Sequence, residues 1–280
     1  MSFIKSENLN IIEKGDLKYI TFPSLCADGV KHAFSTRFGG VSEGIFSTMN
    51  LSFSRGDSDE KVLENYKIIC SALGVDYNKC VLSKQTHTTN IRIVAPADIG
   101  KGIIKERDFD DVDGLITNIP GVTLVTQYAD CVGLLFYDPI KKVIAASHAG
   151  WRGTVGEIGR KTVEKMHEAF GSEPSDILAA IAPSIGKCCF EVDTPVYEEF
   201  IRLQNVDLNR IIDDKGNGKY NIDLWECNRQ ILINAGVLAS NISVTDLCTK
   251  CHSDIFFSHR ATQGKRGNLA AFICLDEVSE

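Results

Sequence analysis

Three side chains of the kind that hold zinc, His87, Cys131 and His148, each stand at or beside the end of a predicted strand. A catalytic zinc takes three nitrogen or sulfur ligands and leaves a fourth position for water or substrate. The three residues are therefore candidate metal ligands and candidate catalytic residues, and strand ends can hold them rigidly while they face a cleft. They lie 44 and 17 positions apart in sequence. Such separations are tertiary, so spacing leaves a core histidine or a buried thiol open for each residue alone. A second chemistry is also open, with Cys131 as nucleophile and His148 as its base in a cysteine hydrolase or amidase. A third reading is a nucleotide-binding module without turnover.

The segment after His148 reads AGWRGTVG before turning helical. Gly150, Gly153 and Gly156 surround the predicted helix start and Arg152 supplies a guanidinium fork, the elements of a phosphate or carboxylate seat. A crowded strand-to-helix turn would need the same glycines. Arg37, in the loop STRFGG, is a second candidate for holding phosphate or substrate. Asp113 in DVDG and Asp130 beside Cys131 could orient a histidine or carry a proton.

Other motifs are weaker. Cys248-Thr249-Lys250-Cys251-His252 spells the c-type haem attachment pattern, a chemistry of exported proteins, whereas the opening MSFIKSENLNII has no apolar signal-peptide core. The same residues could hold a second zinc, but no matching ligand pair follows at finger spacing. The adjacent Cys188-Cys189 is read as two packed thiols, and Cys70, Cys80 and Cys274 as small core residues. No histidine begins H-x-E or H-E-x-x-H, and no dinucleotide-type G-x-G-x-x-G is present, which removes the common deaminase, metalloprotease and dehydrogenase signatures.

The elements that must position these residues follow from pattern. LKYITF and VKHAFST read as strands; Asp59 to Leu73 reads as an amphipathic helix capped by Gly74. CVLSKQTH and TNIRIVAP look like paired strands with His87 at their connection. VDGLIT, GVTLVTQYADCVGLLFYD and KKVIAASH follow, the middle run being long enough for two strands broken near Tyr128-Ala129-Asp130. A helix is expected over Val155 to Phe170, closed by Gly171. A strand at DILAAIAP, helices near Pro195 to Leu203 and Asp223 to Asn234 separated by the turn DDKGNGK, and a last strand at NLAAFICL complete the chain. Hairpins mixed with helices indicate an α+β fold. With 280 residues, 44% hydrophobic and 24% charged, one domain over 1–280 is expected. A net charge of −7 gives no footprint for nucleic acid, no run of about eighteen apolar residues suggests a membrane span, and a cytoplasmic monomer is expected.

Taken together, STRFGGVSEGIFSTMNLS, KQTH, DVDGLIT, ADCVGLLFYD, HAGWRGT, IAPSIGKCCFEV, FFSHR and GKRGNLAAFI resemble the YfiH/YlmD family, bacterial relatives of the human laccase-domain protein. The resemblance runs from about His32 to Ile273. It implies a zinc site of His87, Cys131 and His148, and a layered α/β/β/α sandwich with mixed sheets similar to the catalytic domain of cytotoxic necrotising factor. It also implies phosphorolysis of adenosine, inosine, guanosine and methylthioadenosine with phosphate as co-substrate, and deamination of adenosine to inosine. Family members are also described as peptidoglycan editing factors, which lends weight to the cysteine hydrolase alternative. The older family name, multicopper polyphenol oxidase, fits less well: a complete laccase needs roughly ten histidines by ordinary copper-ligand preference, and this chain has 6.

Overall fold

The runs VGLLFYD and VIAASHA are buried along their whole length, so the sheet they share must be covered on both faces. The structure, a computed structural model, describes residues 4–277. Its strands are β1 (Asn10–Lys14), β2 (Leu17–Thr21), β3 (Val30–Ser35), β4 (Cys80–Leu82), β5 (Ile91–Ile93), β6 (Gly114–Thr117), β7 (Thr123–Tyr128) and β8 (Val132–Asp138). They continue with β9 (Val143–Ala149), β10 (Leu178–Ile181), β11 (Glu191–Asp193), β12 (Ile212–Gly216), β13 (Lys219–Ile222), β14 (Ile242–Val244) and β15 (Leu269–Leu275). The helices are α1 (Asp59–Leu73), α2 (Trp151–Val155), α3 (Ile158–Phe170), α4 (Thr194–Phe200), α5 (Leu208–Ile211), α6 (Leu224–Asn234) and α7 (His259–Thr262).

Two six-stranded mixed sheets carry the fold, ordered β1-β2-β3-β15-β7-β4 and β14-β10-β8-β9-β6-β5, with a small sheet β11-β13-β12 beside them. The period-2 alternation of strands sorts their side chains. Leu135 and Tyr137 of β8 and Ile144 and Ala146 of β9 face the first sheet, against Phe34, Leu124, Tyr128, Ala271 and Ile273. Leu134, Phe136 and Ala145 face the other way, under Ile158, Val163 and Met166 of α3 and Ile231 and Leu232 of α6. On the far side, Val62, Tyr66 and Ile69 of α1 cover Tyr19, Ala33, Val125 and Phe272. The layers are helix, sheet, sheet, helix, as the family resemblance implied. Each fully buried leucine or isoleucine in them contributes about 1.5–3 kcal/mol relative to exposure.

Several boundaries match expectation and three do not. Helix α1 begins at the Ser58 cap, whose side chain accepts from Lys61 N–H, and ends at Gly74 in the left-handed region with φ 67°. The long apolar run divides into β7 and β8 around Ala129–Cys131, and Cys70, Cys80 and Cys274 are buried. The strands flanking His87 are not paired with each other: β4 runs parallel to β7 in the first sheet and β5 parallel to β6 in the second. The helix expected over Val155 to Phe170 is broken, because Glu157 takes a left-handed φ of 55° and divides α2 from α3. DDKGNGK is more than a turn: Asn217 and Gly218, both at positive φ, close a hairpin between β12 and β13, the geometry favoured by Asn-Gly pairs.

His32 on β3 makes the core sensitive to acid. Its ring stacks on Phe22 at 5.7 Å, its Nε2 accepts the Phe22 N–H at 2.8 Å, and burial holds its pKa down from 6.5 to about 4. As pH falls the unfolded chain therefore takes up this proton first. The site's stabilisation is full above pH 6.5 and lost toward pH 4, about 3 kcal/mol in all. In urea titrations the stability gap between wild type and His32→Gln, which has nothing to protonate, is expected to close on going from pH 7 to pH 4.5. Parallel losses in both proteins would refute this.

Candidate active site between the sheets

The chain crosses from the first sheet to the second twice at one rim, and each crossing carries a candidate ligand. His87 lies between β4 and β5, Cys131 between β7 and β8. Because β4 and β7 are parallel neighbours, both crossings leave at the same end. His148 follows Ile144 and Ala146 on the inward face of β9 and pairs in register with Gly133. The ligand atoms of His87, Cys131 and His148 all lie within 4.8 Å of one another. Cys131 Sγ is 3.9 Å from His87 Nε2, and the two imidazole rings meet edge to face at 4.9 Å.

Asp113, immediately before β6, organises the group. Its fully buried carboxylate accepts the backbone N–H groups of Thr86, His87 and Thr88 at 3.0, 3.1 and 3.0 Å, and engages His148 Nδ1 at 2.8 Å. His87 needs this anchorage, since its φ of 67° is a left-handed conformation that costs a residue with a Cβ about 1–2 kcal/mol. Donating Nδ1–H to the carboxylate directs His148 Nε2 toward the cluster, the arrangement typical of metal-ligating histidines. Burial would raise the Asp113 carboxyl, but the His148 contact and the converging amides outweigh it and hold its pKa below the usual value.

The same balance acts on the Cys131 and His148 pair. Burial opposes both charges, yet the adjacent imidazole brings the Cys131 thiol down to about 6, and the thiolate together with Asp113 raises His148 to about 9. Without a metal the pair is a thiolate beside an imidazolium; a divalent cation would displace the His148 Nε2 proton and meet a thiolate and two imidazoles, a set matched to a borderline-soft ion. Gly150 leaves room for it: a Cβ there would stand 2.9 Å from His87 Cδ2, 3.2 Å from Cys131 Sγ and 3.6 Å from His148 Cε1. Gly153 is tight against the turn instead, with a Cβ position 3.1 Å from the His148 carbonyl oxygen.

A cavity of about 220 Å³ opens beside the three ligands, walled by Arg55, Lys84, Arg107 and Arg266 together with Gln85, Gln127 and Asn268. Arg266 is only 7% exposed, and its Nε has no hydrogen-bond partner. Burial and the nearby Arg55 charge lower its guanidinium to about 10. Its terminal nitrogens donate to the Gly267 carbonyl at 3.2 Å and to Asn268 Oδ1, and reach His259 Nδ1 at 3.4 Å; a cation so placed beside Arg55 favours an anion in the adjoining cavity.

The structure does not bring all the sequence candidates here. Arg37 donates from Nε to the Ser47 carbonyl at 2.9 Å and from a terminal nitrogen to that of Ser253 at 3.0 Å, while lying over the Phe257 ring. It braces loops away from the cavity wall. Arg152 is exposed and stacks on its neighbour Trp151 at 4.2 Å, and α2, at five residues, is too short to present a strong dipole. Asp130, with φ 81°, turns from the histidines: its carboxylate accepts Thr249 Oγ1–H at 2.6 Å and Arg260 N–H at 2.7 Å. Gly40–Gly44 spells the hydrolase-like pattern G-x-S-x-G, but Ser42 is buried in a loop, its Oγ accepting from Asn65. Sequence reasoning missed Arg55, Arg107 and Arg266 as cavity residues. A signal for Arg266 was present in GKRGN, two glycines around a buried cation.

A two-sheet sandwich with a His-Cys-His group at the rim where the chain crosses between sheets is the class that fold and site define. The family model described as multi-copper polyphenol oxidoreductase laccase matches residues 31–276, and the chain belongs to this YfiH/YlmD family. It is similar to purine nucleoside phosphorylase YlmD of Bacillus subtilis, 38% identical over 246 residues covering 88% of each chain. It is 36% identical over 263 residues to a purine nucleoside phosphorylase of Bacteroides thetaiotaomicron, covering 93% of this chain and 97% of that one. Adenosine deaminase RL5 of an unknown prokaryotic organism is 37% identical over 239 residues, 83% of this chain and 89% of the other. Among solved structures, Bacillus licheniformis YfiH superposes with a TM-score of 0.90 at 33% identity over 96% of this chain and 100% of that one. These relatives mark the chain as a purine nucleoside enzyme. Among the described residues, His87 and His148 are the two histidines in a metal-capable group. His32 is in the core. No described helix is long and apolar enough to cross a membrane.

Proposed function

We propose that the chain is a zinc-dependent purine nucleoside phosphorylase that also deaminates adenosine, with His87, Cys131 and His148 as ligands and nucleoside and phosphate meeting in the adjoining cavity. The observation that carries this reading is the junction of the His-Cys-His group with a cavity walled by Arg55, Lys84, Arg107 and the buried Arg266. Zinc bound there would supply Lewis acidity toward an oxygen at an open fourth position. The protein's own share is electrostatic and positional. Arg266, with Arg55 and Arg107, holds phosphate near C1′, where positive charge develops as the C1′–N9 bond breaks. A phosphate oxygen forms the new bond to C1′, the bonding pair leaves on N9, and a proton neutralises the purine. The products are free base and ribose-1-phosphate, or methylthioribose-1-phosphate from methylthioadenosine. Deamination would replace phosphate by water at C6 of adenosine, releasing ammonia.

Chromatography of adenosine incubated with the protein tests this. Adenine is expected only with phosphate and inosine without it; neither product under either condition would overturn the reading. Arg266→Gln is expected to raise the phosphate KM by about tenfold or more, the scale of a lost charge-assisted contact, while phosphate-independent inosine formation changes little. Equal effects on both reactions would contradict a phosphate role for Arg266.

One observation favours a second reading. Cys131, His148 and Asp113 form a chain of thiolate, imidazolium and carboxylate, the arrangement of a cysteine hydrolase. Such a triad has no use for a second imidazole 3.9 Å from the thiol, whereas a metal centre does. Metal-free turnover stopped by alkylation of Cys131 would select the hydrolase.

A further inference from the structure

Four cysteines outside the nucleoside site converge on one point. Cys188 and Cys189 lie in the turn before β11, while Cys248 and Cys251 form a C-x-x-C segment after β14. Their sulfurs all lie within 4.8 Å of one another. Cys188 to Cys189, Cys188 to Cys251 and Cys189 to Cys251 measure 3.7, 3.6 and 3.5 Å. A tetrahedral zinc thiolate has Zn–S of about 2.3 Å, hence sulfurs about 3.8 Å apart. A disulfide would need about 2.05 Å and would join only two of the four; all four are free thiols here. We propose that Cys188, Cys189, Cys248 and Cys251 bind a second, structural zinc ion, independent of the His-Cys-His centre.

Three features support thiolates at this place. Gly186 N–H donates to Cys248 Sγ at 3.2 Å, and the amides of Lys250 and Cys251 also turn toward it and favour its thiolate; burial and the neighbouring thiols push Cys188 and Cys189 up instead, so the ion would displace their protons on binding. Arg260 donates to the Cys189 carbonyl at 3.2 Å, and its guanidinium offsets part of the net negative charge of four thiolates on a divalent ion; the Lys187 ammonium is turned to Asp213 instead, at 2.8 Å. The two halves come from segments already tied together, with Thr249 N–H donating to the Ser184 carbonyl at 2.9 Å.

The ion would act on the nucleoside site through Asp130. Thr249, inside the C-x-x-C segment, donates to one Asp130 carboxylate oxygen, and the Arg260 N–H to the other. Asp130 adjoins Cys131. A zinc joining the Cys188-Cys189 turn to the Cys248-Cys251 segment would therefore steady the left-handed residue that precedes the Cys131 ligand.

Elemental analysis of the full-length protein tests the site. Two zinc ions per chain are expected for wild type, and one each for Cys131→Ala and for the double variant Cys189→Ser/Cys251→Ser. Cobalt titrated into Cys131→Ala protein is expected to bind at one equivalent with the charge-transfer spectrum of a tetrathiolate. Should the double variant fail to fold, alkylation of wild type decides: Cys188, Cys189 and Cys251 are expected to react with iodoacetamide only after a chelator is added. Zinc retained at two per chain in the double variant, no metal in Cys131→Ala, or alkylation indifferent to chelator would overturn the proposal.

Discussion

Cys131→Ala is expected to remove phosphorolysis and deamination together, lowering kcat/KM for both by more than the about 10–100-fold that loss of an outer-shell partner costs a metal site. Both reactions are assigned to one centre, and Cys131 is its sole anionic ligand. Without the thiolate the remaining donors are two imidazoles, one of them on an exposed left-handed residue. The fold should tolerate the change to within about 1 kcal/mol, since a half-buried side chain at a crossing between strands leaves little cavity. Parallel assays of adenine and inosine formation, with a thermal melt as control, check this. Deamination surviving at full rate would separate the two activities onto different sites.

Asp113→Asn carries the second largest expected effect because one carboxylate serves both histidines. It accepts three backbone amides around His87 and engages His148 Nδ1. An asparagine has one acceptor oxygen, so its NH2 group must face donors that the carboxylate satisfied. His87 then loses support for its left-handed φ, and His148 loses the partner that fixes its tautomer. Activity and zinc affinity are each expected to fall about 10–100-fold, with a stability loss of about 1–3 kcal/mol for the unpaired buried donors. Zinc titration, kinetics and denaturant unfolding read the three effects. Unchanged zinc affinity would show that Asp113 does not orient the ligands.

How far the fold was legible depended on local signals. Helix α1 has a serine cap, an acidic first turn and a terminal glycine, all local chemistry, and its limits match expectation. The continuous apolar runs of β8 and β15 read as strands, and each is buried along its whole length in its own sheet. The partners of β4 and β5 could not be read, because strand pairing across two layers leaves no mark within three-residue strands. The β12 and β13 hairpin was readable from Asn217-Gly218, whose composition suits a two-residue turn.

The site divides in the same way. His87, Cys131 and His148 were recognisable as ligand types at strand ends, and the structure brings them together. The helix start after His148 suggested an anion seat, but the cavity instead draws cations from three distant segments: Arg55 beyond the glycine-rich loop, Arg107 ahead of Asp113, and Arg266 before β15. Convergence of that kind is tertiary. The Cys248-Cys251 segment lacked a following ligand pair at finger spacing because its partners, Cys188 and Cys189, precede it by about sixty residues.

The central claim is that a metal held by His87, Cys131 and His148 is required for purine nucleoside turnover. The most direct measurement is the rate of phosphate-dependent adenine formation from adenosine by protein stripped of metal and then titrated with zinc. The rate is expected to be near zero without metal in wild type, to return as zinc is restored, and to stay absent in Cys131→Ala at any zinc concentration. Full turnover by metal-free wild-type protein, arrested by alkylating Cys131, would contradict the account and identify Cys131 as a nucleophile.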